Sequence, residues 1–378
     1  MQKRVVIIDF NHQAHTAFFS RYRLSIRRDG EEKDTTVQNA VLKNLYKWSH
    51  KGAYPTAVCL DRPVPARKMY FQENFPDMAI GGKGEYKGGR AKMPEELFNA
   101  ITESESLMRR AGVCVFAKEG YEADDLIYAC VQHAKKQYPG MPIDVITNDA
   151  DLLPLVDETV SVFLRSKKGT YAESKEIEKL HYVQVTPRNF QSVVEDLSAY
   201  RGFIIPYNSL LLHKLLRGDD SDNYKRKDIS KLFPATKWNA MITRMLEERV
   251  NFEEAFRYGD PVKEIQYVDT GELFKGTLQE AMASPDKSRL QYKLKNSEEL
   301  DCILDLLHDY TSMDEEMISH VAKMYNGMNL NQPYYHNNPM YRRVAFNVAK
   351  SENGGIYQFN EKDLQDAATL LQIRLITA

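Results

Sequence analysis

Short, apolar, β-branched runs recur along the first half of the chain, separated by longer stretches of helical periodicity. "RVVIID" (4–9), "TAVCLD" (56–61), "VCVFA" (113–117), "IDVIT" (143–147) and "VSVFL" (160–164) have the continuous apolar character of strands buried on both faces. Between them, 35–52 sets Val37, Ala40, Val41, Leu45 and Trp48 on one helical face and meets a stop at Gly52. The stretch 94–112 starts with proline and ends with glycine, the order a helix prefers, and 121–140 is a further helix. Strands alternating with helices predict a doubly wound, mostly parallel α/β sheet. From about residue 187 onward helical patterns dominate, with "SLLLHKLLRG" (209–218) the most apolar and 225–260 helical with charged faces. Residues 62–93 are basic, aromatic and glycine-containing without a clear period, and 331–378 shows no repeat.

With 378 residues the chain can form one large domain or two modest ones. A formal net charge of -2 removes any overall attraction for a polyanion, which would have to be met by a local basic patch. The four cysteines are far apart and form no CxxC pair, so neither a disulfide framework nor a zinc knuckle is expected and a reducing compartment fits. No run approaches the roughly 20 apolar residues of a membrane span, and the N-terminal run is too short for a signal peptide. A cytoplasmic protein without a membrane segment is expected. His12 and His15 read as structural, and Trp48 and Trp238 as core.

The acids carry the chemistry. In an open parallel sheet, ligands bind beyond the carboxyl ends of the strands. "VVIID" ends in Asp9, "AVCLD" in Asp61, and "DVITNDAD" in Asp149 and Asp151. The helix after "VCVFA" opens with Glu122, Asp124 and Asp125, and "LLRGDDSDN" follows an apolar helix with Asp219, Asp220 and Asp222. Any one of these reads as a helix cap or a turn residue. Five such segments converging on one edge would repel one another unless cations intervene. An oxygen-only donor set without histidines suits Mg²⁺ or Mn²⁺ and argues against zinc. Six or more acids exceed the need of one ion. Two ions about 3.5–4 Å apart clamp the attacking and leaving oxygens of a phosphodiester.

"IIDFN", "CLDRP", "EYKGGR", "YEADDLI", "ITNDADLL" and "LRGDDSDN" occur in the order found in the flap endonuclease and 5′-3′ exonuclease family, and the chain resembles that family, its phage ribonuclease H branch above all. The resemblance implies a PIN-like fold over 1–223 with a helical arch at about 62–93, a mainly helical DNA-binding region over 224–330, and an extension at 331–378 without a counterpart. It implies a first Mg²⁺ held by Asp9, Asp61, Glu122, Asp124 and Asp149. A second lies near Asp151, Asp219 and Asp222, with Asp125 beside them, and Mn²⁺ can substitute. Asp220 has no counterpart role. Within "GGKGEYKGGR", the resemblance assigns Lys87 and Arg90 to the scissile phosphate and Tyr86 to base stacking, while Arg67 and Lys83 are expected to touch the strand. A metal site built from carboxylates needs such cationic side chains where phosphoryl charge develops. Where the wider family has a glycine-rich hairpin after "GDxxDN", this chain has Lys225, Arg226 and Lys227, which predicts duplex binding by side-chain charge.

The expectation is a two-metal 5′-nuclease acting as a monomer on RNA–DNA hybrid, nicked duplex or 5′-flap DNA in primer removal. A single-strand DNA-binding protein or a sliding clamp is the protein partner considered for 331–378, with simple packing as the other use of that segment. Two alternatives are weighed. A family member that grips branched DNA without cutting would have lost metal acids, and every position is filled here. A PIN-type ribonuclease of single strands would be shorter and lack the arch.

Overall fold

A computed structural model describes residues 3–28, 30–62, 65–75, 92–165, 182–207, 209–218, 227–250, 252, 262–267, 269–270, 272–275, 284–295, 298–328, 330, 346–373 and 375. The chain begins with strand β1 (Val5–Asp9), helix α1 (Phe10–Phe18), a hairpin of β2 (Ser25–Arg28) and β3 (Glu31–Asp34), and α2 (Thr36–Trp48). Next come β4 (Thr56–Cys59), α3 (Pro65–Asn74), α4 (Glu95–Arg110), β5 (Cys114–Phe116) and α5 (Ala123–Gln137). Strands β6 (Ile143–Thr147), β7 (Val160–Arg165) and β8 (Tyr182–Val185) complete a six-stranded sheet in the order β5-β4-β1-β6-β7-β8. All pairs are parallel except the last, β7 with β8. The mostly parallel α/β sheet read from the strand periodicity is therefore present.

All five residues of β1 are buried, as a strand covered on both faces requires. Ile8 lies level with Val58 on one side and Ile146 on the other, so β4, β1 and β6 end together. The chain runs from β1 outward through β4 and β5, then returns to the other side of β1 for β6. That reversal places a topological switch point at the carboxyl end of β1, where such sheets open a crevice.

One face of the sheet is covered by α1, α2 and α4 through a cluster that includes Phe10, Val41, Leu42, Leu45, Leu97 and Met108. Trp48 packs edge-on against Phe163 with ring centroids 5.0 Å apart. The apolar side of α5, with Leu126, Ile127, Cys130 and Val131, packs on β1 and β4 from the other side.

Two compact units result, the described residues of 1–201 with those of 333–378, and those of 202–332. The late segment belongs to the sheet's own core. Leu364, Ala367 and Ala368 on helix Glu361–Thr369 join the cluster under α2 and α4, with Phe359, Leu371 and Ile373. Backbone links fasten it: the Thr56 amide donates to the Tyr357 carbonyl at 3.0 Å, and the Tyr138 hydroxyl donates to the Ile356 carbonyl at 2.6 Å. Gly52, at φ +84°, lets the Phe359 carbonyl approach where a Cβ would stand. Within the described part of 331–378, Phe359, Leu364, Ala367, Ala368, Leu371 and Ile373 are thus packed into that core.

The second unit contains helices Leu210–Arg217, Lys227–Leu232, Ala235–Glu247, Glu298–Tyr310 and Glu315–Met328. Trp238 is fully buried there, and its indole Nε1 donates to the Ile204 carbonyl at 2.8 Å. An antiparallel pair, Val262–Tyr267 with Leu290–Lys295, interrupts this mainly helical region. The β2–β3 hairpin is likewise absent from the sequence reading. Its second strand, "EEKD", is exposed throughout and shows no apolar alternation that a reader could detect. Among the described residues no helix is long and apolar enough to cross a membrane.

Candidate metal centre

The carboxyl edge of β4, β1 and β6 brings Asp9, Asp61 and Asp149 into one neighbourhood, and the start of α5 adds Glu122, Asp124 and Asp125. Asp9 ends β1 and caps α1, accepting the His12 amide at 3.4 Å through Oδ1. Its Oδ2 accepts the Thr147 hydroxyl at 2.8 Å. Asp61 stands two residues past β4. Its amide donates to Asn11 Oδ1 at 3.0 Å, and its Oδ1 accepts the Ala123 amide at 2.7 Å, which fastens α5 to the sheet. Asp149 follows β6 and caps the short 3₁₀ turn Ala150–Leu155 by accepting the Asp151 amide at 2.8 Å. Capping and ligation are thus compatible, because a cap occupies one lone-pair direction of a carboxylate and leaves others.

Electrostatics marks the centre. The Asp9 carboxyl is pushed up to about 7, first by burial, then by the negative charge of Asp61, with Asp149 adding to it against the lowering bonds from Thr147 and the His12 amide. An unneutralised acid in this setting has the strain that a bound cation relieves. Beneath it, burial pushes the Cys59 thiol well above its ordinary range, with Cys130 Sγ 3.9 Å away and Asp9 and Asp124 contributing. A thiol kept protonated is a poor ligand, so the donor set remains oxygen. His12 is pushed down to about 4, chiefly by burial, and bonds Thr16 Oγ1 at 3.2 Å.

Arg67 departs from the expectation that it meets the nucleic-acid strand, because only 5% of its side chain is exposed. One guanidinium nitrogen pairs with Glu122 and the other with Asp125 Oδ1 at 2.5 Å. Asp125 Oδ2 also accepts the Glu122 amide at 2.9 Å. These two acids therefore have a protein cation against them. Among the described residues no three acid, histidine or cysteine side chains stand in metal-ligating geometry. Amide caps and the Arg67 pair hold the gathered carboxylates in their individual positions.

Asp219 and Asp222 lie outside the described residues, as do Lys83, Tyr86, Lys87, Arg90, Lys225 and Arg226; Lys227 opens helix Lys227–Leu232. Two supporting residues escaped the sequence reading. Asn11 holds the Asp61 backbone. The Thr147 hydroxyl links Asp9 to the Asp149 amide, which donates to it at 3.0 Å. Their positions next to the acids, "DFN" and "TND", were the available signal.

Residues 4–181 match the family model of the 5′-3′ exonuclease, N-terminal resolvase-like domain. The 5′-3′ exonuclease of Mycoplasma pneumoniae is 27% identical over 227 residues, which is 58% of this chain and 66% of that one. Over residues 4–181 the chain is therefore similar to the 5′-3′ exonuclease family. A thermostable DNA polymerase I of Thermus filiformis is 27% identical to this chain over 181 residues, 48% of this chain and 19% of the polymerase. The chain thus spans slightly less than two thirds of the exonuclease and about a fifth of the polymerase. Among solved structures, the bacteriophage T5 D15 protein co-crystallized with metal ions is a distant likeness, with a TM-score of 0.44 and 14% identity over 86% of this chain and all of that one.

Proposed function

We propose that this chain is a divalent-metal-dependent nuclease that hydrolyses phosphodiesters near the 5′ ends of strands, on RNA–DNA hybrid, nicked duplex or 5′-flap DNA. The observation that carries the reading is Asp9, a buried carboxyl at the sheet's switch point pushed up to about 7 in the company of Asp61 and Asp149. Such a site favours the ionised acid only when positive charge is delivered to it. The match of residues 4–181 to the 5′-3′ exonuclease N-terminal domain supports the same chemistry.

Asp9, Asp61, Asp124, Asp149 and Asp151 would hold the ions, with Asp219 and Asp222 contributing to a second position. Glu122 and Asp125 would join them at the start of α5, each with Arg67 against one of its oxygens. When bound, two Mg²⁺ ions, or Mn²⁺, supply Lewis-acid activation of water and charge compensation at the phosphodiester. The chain's own residues orient the carboxylates: Thr147 sets Asp9 against Asp149, Asn11 sets Asp61, and the Asp61–Ala123 bond fixes the start of α5. Lys87 and Arg90 supply side-chain cations to the phosphoryl oxygens, Tyr86 stacks on a base, and Lys83, Lys225, Arg226 and Lys227 meet the backbone of the duplex. The protein acts as a monomer in the cytoplasm, in removal of RNA primers.

The test uses end-labelled 5′-flap and RNA–DNA substrates with Mg²⁺ or with chelator, beside Asp149→Asn. Cleavage that needs Mg²⁺ and disappears in the variant supports the reading. Cleavage that survives chelation rejects it, and binding without cleavage in the wild type would make the chain a branched-DNA binder. Lys87→Ala is expected to bind substrate and fail to cut it.

A further inference from the structure

We propose that a pocket between α1, α2 and the last two strands of the sheet binds one free adenine nucleoside monophosphate, with the base turned inward and the phosphate at Arg165. The site is separate from the carboxylate centre and does not depend on the metal-dependent reading.

The pocket encloses about 320 Å³. That is the small end of the roughly 300–1,000 Å³ that ligand sites occupy, and it suits a single nucleotide. Helix α1 lines one side with Gln13, α2 lines another with Asn39 and Asn44, and the ends of β7 and β8 supply Arg165 and Tyr182. Tyr182 is a fixed wall, because the Trp48 ring packs edge-on against it with centroids 5.4 Å apart. Tyr22 also lines the pocket and is 85% exposed, which leaves its ring available to stack on a base.

The observation that points to a ligand is Gln13. Its side chain is 5% exposed, and its amide nitrogen has no hydrogen-bond acceptor among the described residues. A buried donor left unsatisfied is costly, and such groups in native folds nearly always have a partner. The last side-chain torsion of glutamine is soft, so the amide can turn to an acceptor in the pocket. Asn39 and Asn44 add two more carboxamides, neither of which bonds a described residue. Three neutral amides offer donors and acceptors side by side. That chemistry pairs with N6 and N7 of adenine, whereas guanine is read by arginine or lysine and the cytosine amine by an acid.

Arg165 is the one charged side chain among the described residues of the lining. Its backbone amide donates to Asn148 Oδ1 at 2.8 Å, while among the described residues no carboxylate pairs with its exposed guanidinium. A guanidinium in that state takes a phosphate through two parallel hydrogen bonds. A polynucleotide is held by several cations along its phosphates, whereas a single cation serves a monophosphate.

Equilibrium dialysis of radiolabelled AMP against the full chain, in chelator, tests the site. Wild type is expected to take up one AMP per chain, with adenosine and CMP as competitors each bound about tenfold more weakly. Arg165→Gln, at an exposed position, should weaken AMP by about tenfold and leave adenosine unchanged, because it removes only the phosphate contact. Asn39→Leu should weaken AMP and adenosine alike. AMP that is not taken up at millimolar concentrations overturns the proposal. So does AMP binding undiminished in both variants, which would place the nucleotide elsewhere on the chain. The tetranucleotide (dA)4 separates a free nucleotide from one in a strand: if it binds through Arg165 and Asn39 more tightly than AMP does, the assignment to a free nucleotide falls. Chelator is present throughout, so failure here leaves the Mg²⁺ dependence of cleavage to its own assay.

Discussion

Replacing Asp9 with asparagine separates the cost of its charge from the value of its shape. The carboxyl rises from 3.8 to about 7 in the folded chain, by burial first and then by Asp61. A raised acid binds its proton more tightly folded than unfolded. Its contribution to the stability of the metal-free protein is therefore fully present below about pH 4 and is lost as pH climbs through the folded value near 7. Over that window the loss is about 4 kcal/mol at ~1.36 kcal/mol per pH unit of displacement. An asparagine in its place would keep an oxygen for the His12 amide but lose the acceptor of the Thr147 hydroxyl, worth about 1 kcal/mol. Asp9→Asn is thus expected to be about 3 kcal/mol more stable than wild type at pH 8 in chelator, with the advantage shrinking as pH falls and turning into a deficit of about 1 kcal/mol below about pH 4. Urea melts in chelator at half-unit pH steps measure it. Saturating Mg²⁺ should stabilise wild type at pH 8 and leave the variant nearly unmoved, while the variant loses cleavage. If both proteins show the same dependence of stability on pH, Asp9 is not the strained acid that the site requires.

Thr147→Val removes the donor to Asp9 and the acceptor of the Asp149 amide, and should lower Mg²⁺ affinity while costing about 1–3 kcal/mol in melts. Leu364→Ala, at a fully buried position of the last described helix, should cost about 2–5 kcal/mol, and an unaffected melting curve would show that this helix is not part of the core. Gly52→Ala should destabilise by more than about 1 kcal/mol, since it must leave a positive φ and displace the Phe359 carbonyl. In metal titrations followed by melting temperature, Asp61→Asn should weaken the Mg²⁺-dependent rise by an order of magnitude or more, and a full rise would remove Asp61 from the ligand set.

Much of the site was legible because it depends on period and position along the chain. Buried strands are recorded as unbroken apolar runs, and the residues just past each run must lie at the sheet's carboxyl edge. Asp9, Asp61, Asp149 and the acids opening α5 could therefore be placed together before any coordinates. The β2–β3 hairpin and β8 were not legible, because an exposed polar strand and an added edge strand are supported by neighbours rather than by their own pattern.

Local order in sequence carries no information about which charge meets which across a fold. Arg67 stands in a basic stretch, and its neighbours along the chain favour an exposed cation seeking phosphate. Only the docking of α3 against α5 turned it inward onto Glu122 and Asp125, 55 and 58 residues away. The last described helix depends on tertiary packing in the same way. Its leucine and alanines, at 361–373, show an apolar face with no indication of its partner. The register of the sheet and the packing of α2 and α4 supplied that partner, because burial is a property of surfaces that meet in three dimensions.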